Sequence, residues 1–326
     1  MFNSRYLNEL YFYSCGRHAI REIFRLIHLK SGNRVLLPRF ICRDILDCIT
    51  EFDAQVTYYD VSRQNLIPEI TVRNCLSAEV IFVVNYFGFP QDISKVDICR
   101  NTSSAILVED NAHGYLSKDE VGNYLGVRSD FGIFSPRKTL TIPNGGLLYI
   151  RHEDRVGFAS RYEPASASLS HNQSLKKLLR RANGLGTRLL GGILRFKYLL
   201  RFWRSRANGS SKSSSHLKIP ANPWSGLRMT LEGLDERIES ERRRTLYLHF
   251  EKELVRMRYE KVFTNLPLHC VPYGFPFYSA DGKIGPAVVA ASKYGLGVMK
   301  WPDLPEAAGI PHSHFYRNIY LINFQI

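Results

Sequence analysis

The sequence has no run of about 18 apolar residues free of charge, so a membrane-spanning helix is not expected. Its first residues, MFNSRYLNELYFYSCG, contain neither an uninterrupted apolar core nor a small-residue cleavage site, and a secretory signal is not expected either. The six cysteines (Cys15, Cys42, Cys48, Cys75, Cys99 and Cys270) form no Cys-x-x-Cys pair. That spacing argues against a metal ribbon and against a disulfide scaffold; buried, reduced thiols in a cytosolic protein are the expectation, with no metal site. Internal repeats are absent. Acidic residues are nearly missing from one segment: between Arg161 and Lys218 thirteen basic residues face a single acid, Glu163. This segment therefore carries twelve of the net fourteen positive charges, and the rest of the chain is close to neutral.

What is present is an ordinary globular composition, 44% hydrophobic and 23% charged over 326 residues. The length suits one large and one smaller domain. In Arg17 to Leu29 the apolar residues Ile20, Ile23, Phe24 and Ile27 follow the spacing of a half-buried helix. Short apolar runs at Val35–Leu37, Ala54–Tyr59, Val80–Val84, Ala105–Val108, Asp130–Phe134 and Gly146–Ile150 read as strands, with helical patterns at 44–51 and 93–100 between them. The alternation predicts an α/β fold with a mostly parallel sheet, whose ligands bind beyond the carboxyl ends of the strands. Residues just after Val108 and Phe134 are thus the first candidates for a site. Farther on, 230–257 reads as one long charged helix. From about Val262 short strands, a helix near 286–294 and a last strand at 319–324 predict a smaller α+β domain. The expected organisation is 1–160, a basic helical insert and linker over 161–220, and 221–326.

Three segments fall at those strand ends or open a helix: VEDNAHG (Val108 to Gly114), FSPRKTLTIPNGG (Phe134 to Gly146) and SCGRHA (Ser14 to Ala19). Taken singly, each has a plain structural explanation. A strand-end acid can cap a turn, a loop lysine can be solvated, and many helices open on small residues.

Taken together and in this order, they resemble the DegT/DnrJ/StrS family of pyridoxal-phosphate-dependent sugar aminotransferases, which have the fold-type I (aspartate aminotransferase-like) architecture. NYFGFPQDI (Asn85 to Ile93) and VLLPRFIC (Val35 to Cys42) are similar to further family segments. The resemblance implies a fold-type I transferase with pyridoxal phosphate as cofactor. It makes Lys138 the Schiff-base lysine and proton shuttle and Asp110 the partner of the pyridinium nitrogen. His113 falls where relatives have Gln or His near the ring or its phenolic oxygen. Ser135, with Gly16, Arg17 and His18, is implied at the phosphate. The chemistry is coherent: a lysine must lose its proton to attack a carbonyl, and a desolvated pocket lowers its pKa.

The implied activity is transfer of an amino group from an amino acid, glutamate in many relatives, to a nucleotide-linked keto-sugar in polysaccharide or related sugar biosynthesis. The implied assembly is a homodimer and the implied location cytoplasmic. Two alternatives accompany it: a sugar dehydratase, whose relatives typically carry His in place of the lysine, and a non-catalytic member acting as a binding or membrane-associated protein. The sequence also departs from the family. Many relatives have two more residues between the serine and the lysine, and Cys42 stands where many place an aromatic over the cofactor. No clear counterpart of the family's second-subunit Asn loop appears around Asn222 to Ser225. Within the insert, Leu189, Ile193, Phe196, Leu200 and Trp203 recur at helical spacing, with Lys197, Arg201 and Arg204 on another side. Two readings stand for it: packing on the body or on a second subunit, or attachment of 186–206 to an anionic membrane surface at the inner face of the membrane. No nucleic-acid module is recognisable, and nucleic acid is not an expected partner.

Overall fold

A computed structural model describes residues 7–93, 96, 103–151 and 220–325. The first part builds an eight-stranded sheet from β1 (Leu10–Tyr13), β2 (Arg34–Pro38), β3 (Gln55–Val61), β4 (Pro68–Glu69), β5 (Val80–Val84), β6 (Ile106–Asn111), β7 (Phe131–Phe134) and β8 (Gly146–Ile150). Their order is β1-β8-β7-β6-β5-β2-β3-β4. The five central strands β3, β2, β5, β6 and β7 run parallel, and β4, β8 and β1 are antiparallel additions at the edges. Val80–Val84 is buried at every position, as a strand covered on both faces requires. The β6 strand runs three residues beyond the expected Val108, so Glu109, Asp110 and Asn111 are still paired. Asp110 lies opposite Val84 on one side and Ile133 on the other, which aligns the carboxyl ends of β5, β6 and β7.

Helix α1 (Gly16–Leu26) buries Ile20, Ile23 and Phe24 on the sheet. It ends earlier than the pattern suggested because His28 turns left-handed at φ 51°. The other helices of this part are α2 (Leu46–Thr50), α3 (Val72–Leu76) and α4 (Pro136–Thr139). Thr71 and Asn74 cap α3 reciprocally through side chains and backbone N–H groups.

After residue 220 the structure corrects the expectation of a single helix over 230–257. Two helices form, α5 (Leu227–Glu232) and α6 (Glu236–Arg256). Gly233 closes the first, and the Asp235 carboxylate accepts from the N–H groups of Arg237 (3.0 Å) and Ile238 (3.2 Å) to open the second. A four-stranded antiparallel sheet follows from β9 (Glu260–Lys261), β10 (Gly274–Tyr278), β11 (Gly297–Lys300) and β12 (Ile319–Asn323), in the order β11-β12-β10-β9, with α7 (Gly285–Ser292) between β10 and β11. One buried apolar cluster joins Phe24 and Val83 of the large sheet to Tyr247, Phe275 and Leu321, so both sheets share a core. The returning chain is also stitched to β1: Ser14 donates its N–H to Ala221 O (2.8 Å) and its hydroxyl to Pro220 O (2.5 Å).

Cys15, Cys42, Cys48 and Cys270 are free, but Cys75 is disulfide-bonded, which corrects the expectation of reduced thiols throughout. Among the described residues no helix is long and apolar enough to cross a membrane, and no group of three or more His, Cys, Asp or Glu could hold a metal ion. The expected helix at 93–100 falls largely outside the described residues, as does the basic insert of 161–220 with its proposed surface segment 186–206.

Candidate active site

Strand alternation separates the two carboxylates of VEDNAHG. Glu109 is fully buried against Arg128, which donates to it from Nε (2.9 Å), Nη2 (2.5 Å) and its main-chain N–H (3.1 Å), while the Asn85 amide adds a fourth bond at 2.7 Å. Asp110 points the other way. Its Oδ1 accepts only the Ala112 N–H, at 2.9 Å, and its surroundings raise its pKa above the ordinary 3.8. Burial is the leading cause; the Lys138 charge and the Ala112 N–H pull in the opposite direction.

Lys138 is placed by the next parallel strand. After β7 the chain makes the single turn of α4, with Pro136 at its first position and the Lys138 N–H bonded to Ser135 O (2.9 Å). The Lys138 Nζ lies 3.2 Å from His113 Nε2 and 5.6 Å above the Trp301 ring. Desolvation lowers the lysine pKa below 10.5, with Asp110 opposing, and drives His113 well below 6.5, helped by the lysine charge. His113 itself stacks on Tyr273 (4.8 Å between centroids, 3° between planes), meets Trp301 edge-on at 4.9 Å, and accepts the Phe87 N–H at Nδ1 (3.3 Å).

Gly16, Arg17 and Ser135 form an adjoining group. The start of α1 is pressed onto β7 and β8: a Cβ on Gly146 would sit 2.1 Å from the Cys15 carbonyl carbon, and one on Gly16 would lie 3.3 Å from Ile133 Cγ2. Gly16 also lies beside the Phe134 carbonyl, one residue before Ser135. The Ser135 hydroxyl is buried yet does not cap α4. His18 differs from its neighbours, because its N–H is already taken by Cys15 O at 3.1 Å. The Gly16 and Arg17 amides open the helix without intrahelical partners. The Arg17 guanidinium is 3.3 Å from Asp44, and its Nη1 is buried without a hydrogen bond. A helix start, a buried hydroxyl and an under-bonded guanidinium suit a phosphate. With a depressed lysine and a lone carboxylate on neighbouring strand ends, the donor set fits pyridoxal phosphate.

Four contributors were missed by sequence reasoning: Phe87, Tyr273, Trp301 and Arg243. Arg243 is fully buried on α6 and donates to Thr139 O (2.6 Å), Tyr273 O (3.0 Å) and Pro272 O (3.2 Å), with Glu239 on its Nε at 2.6 Å. It thereby ties the turn that carries Lys138 to the residue stacked on His113. A signal existed: Arg243, Tyr247, Phe250 and Leu254 occupy one helical stripe, and all are buried. Trp301 reaches the site through a loop whose neighbour Asp303 holds Arg43 by an ion pair (2.9 Å) and by a main-chain bond (2.9 Å), a long-range contact without local pattern.

Solved structures share this architecture at low identity. An aminotransferase of the DegT/DnrJ/EryC1/StrS type from Brucella abortus matches at 13% identity and TM-score 0.63, over 98% of this chain and 82% of that one. The aminotransferase TlmJ from Streptoalloteichus hindustanus matches at 16% and 0.61, over 97% and 80%. The GDP-4-keto-6-deoxy-D-mannose-3-dehydratase of Escherichia coli, solved with hydrated pyridoxal phosphate, matches at 16% and 0.61, over 96% and 82%. No curated protein matches the sequence. The profile of the DegT/DnrJ/EryC1/StrS aminotransferase family covers residues 12–186, more than half of the sequence, and the strand ends that carry Asp110 and Lys138 lie inside it. The chain belongs to that family.

Proposed function

We propose that the protein is a pyridoxal-phosphate-dependent aminotransferase that moves an amino group from an amino acid, with glutamate as the first candidate, to a nucleotide-linked keto-sugar. The observation that carries this reading is Lys138: an amine with a lowered pKa, in contact with a neutral imidazole and sharing its pocket with Asp110. When bound, the cofactor supplies an electron sink for the carbon that gains or loses the amino group. The protein's residues divide the remaining work. Lys138 would hold the cofactor and carry a proton at Nζ. Asp110 would pair with the ring nitrogen and favour its protonated form, which would in turn favour the ionised carboxylate. The amides of Gly16 and Arg17, the Arg17 guanidinium and the Ser135 hydroxyl would hold the phosphate. Trp301 and Tyr273 exclude water around His113 and Lys138.

The test is reduction of the full-length protein with borohydride in the presence of pyridoxal phosphate, followed by peptide mass analysis. The label is expected on the Lys138 peptide, with none in Lys138→Ala. Glutamate is expected to discharge the visible band of the wild type. A wild-type protein without label would overturn the proposal. A second reading, dehydration of a keto-sugar on the same cofactor, draws on the similarity of the fold to the GDP-4-keto-6-deoxy-D-mannose-3-dehydratase of Escherichia coli. The two differ in products: an amino-sugar on one side, and on the other a deoxy-keto-sugar whose hydroxyl leaves as water, with the amino donor supplying the two electrons and its nitrogen released as ammonia.

A further inference from the structure

The main chain beside His113 is under strain. Phe87 lies in the turn between β5 and the site with φ 55° and ψ 18°, a left-handed conformation that is unfavourable for a bulky residue. Its ring is fixed edge-on to Phe263 (6.2 Å) and Trp301 (6.1 Å). The next residue, Gly88, has φ 89° and is packed so closely that a Cβ would lie 2.7 Å from Val271 O. The result of this geometry is that the Phe87 N–H points at His113 Nδ1, 3.3 Å away.

A main-chain N–H can only donate, so Nδ1 must be the unprotonated nitrogen of the ring. A neutral imidazole with a bare Nδ1 carries its proton on Nε2. That Nε2–H is 3.2 Å from Lys138 Nζ, and it too can only donate. Lysine accepts such a bond only through the lone pair of its neutral amine. We propose that the main-chain N–H of Phe87 locks His113 in its Nε2–H tautomer, and that His113 thereby holds Lys138 as a neutral amine with its lone pair directed at the imidazole. Phe87 is then a positioning residue that acts through His113.

The surroundings agree. Around His113 the described neighbours are Phe87, Tyr273 and Trp301, and a positive charge on Lys138 would itself oppose protonation of the ring. Lys138 faces Asp110, Cys42 and Asp44, which favour its ammonium form, and Arg137, which opposes it; burial outweighs the sum. The tautomer follows from geometry alone, whereas its bearing on a nucleophilic amine rests on the function proposed above.

The test is long-range ¹H–¹⁵N correlation NMR on the full-length protein carrying ¹⁵N in its ten histidine rings, freed of cofactor by dialysis. His113 is assigned by its loss in His113→Gln or, should that variant not fold, through contacts of its ring with Tyr273 and Trp301. At pH 7 a protonated Nε2 and a bare Nδ1 are expected, and they should persist as pH falls through the ordinary imidazole value of 6.5. The same pattern is expected in Lys138→Met, because Phe87 sets it. An Nδ1–H tautomer, an imidazolium at pH 7, or a switch of tautomer in Lys138→Met would overturn the lock. In His113→Phe the pH midpoint for reductive methylation of Lys138 should rise by roughly one unit; an unchanged midpoint would sink the claim that His113 holds the amine neutral. A protein that shows the tautomer but takes up no pyridoxal phosphate supports the lock while overturning the proposed function.

Discussion

Two clusters, each joining a carboxylate to a basic side chain, flank the end of β6, built on consecutive residues and opposite in character. On one side Glu109 receives four hydrogen bonds from Arg128 and Asn85, and Arg128 reaches on to Gln91 O at 3.3 Å. On the other side Asp110 receives one, and its basic neighbour, Lys138, is held by an imidazole. The first cluster is complete and braces the strand end. The second is desolvated and short of partners, so its carboxylate is pushed up and its amine down. An ion pair that is fully satisfied is structure, and one left incomplete in a pocket is available for chemistry.

The contrast can be broken by exchanging effects between the clusters. Asp110→Asn is expected to cost at least about a hundredfold in turnover, while leaving the protein as stable as wild type or more so at pH 7. The sign follows from the raised carboxyl pKa: ionisation of Asp110 opposes folding once pH exceeds the ordinary 3.8, so the variant's advantage should shrink as pH falls toward that value. Parallel assays of turnover and urea unfolding decide this, and a large stability loss would remove the distinction. Glu109→Ala should do the reverse by removing the carboxylate from the partly buried Arg128, at a cost of about 2–4 kcal/mol in urea unfolding.

Arg243→Met sharpens the comparison between brace and site. It empties three carbonyl acceptors at once and should cost about 2–4 kcal/mol, read as a lower urea midpoint. The smallest effect is acid sensitivity at Glu239. Although burial opposes it, hydrogen bonds and charge from Arg242 and Arg243 hold its pKa below the usual 4.5. Its contribution is therefore complete above about pH 4.5 and is lost as pH falls through the lower folded value. Glu239→Gln should flatten that part of the stability-against-pH curve, and an unchanged slope would assign the acid loss elsewhere.

Much of the large sheet could be read in advance because its strands are short buried runs bounded by turns, and Val80–Val84 and Gly146–Ile150 fall where the pattern put them. Asp110, His113 and Lys138 were legible for a related reason: residues at the ends of parallel strands converge whatever the loops between them do. What escaped depends on distance in sequence. Trp301 and Tyr273 meet His113 across more than 150 residues, and no local periodicity encodes that contact. The single helix expected over 230–257 failed because charged periodicity continued smoothly through Gly233 and Asp235, whereas the capping chemistry of those two residues decided the outcome. Arg243 lies in a run of three arginines, Arg242 to Arg244, within the segment read only as a long charged helix. Only its phase with Tyr247 and Phe250 distinguished it from Arg242 and Arg244.

The donor that faces His113 belongs to the main chain, and this shapes what heredity can do to it. No codon change deletes an amide N–H except one to proline, and proline cannot adopt the positive φ of residue 87. A library of substitutions at this position would therefore score only the fit of the aromatic ring against Phe263 and Trp301 and would pass over the amide itself. Variation can dull the lock by letting the turn relax, but it has no single step by which to remove the donor and keep the fold.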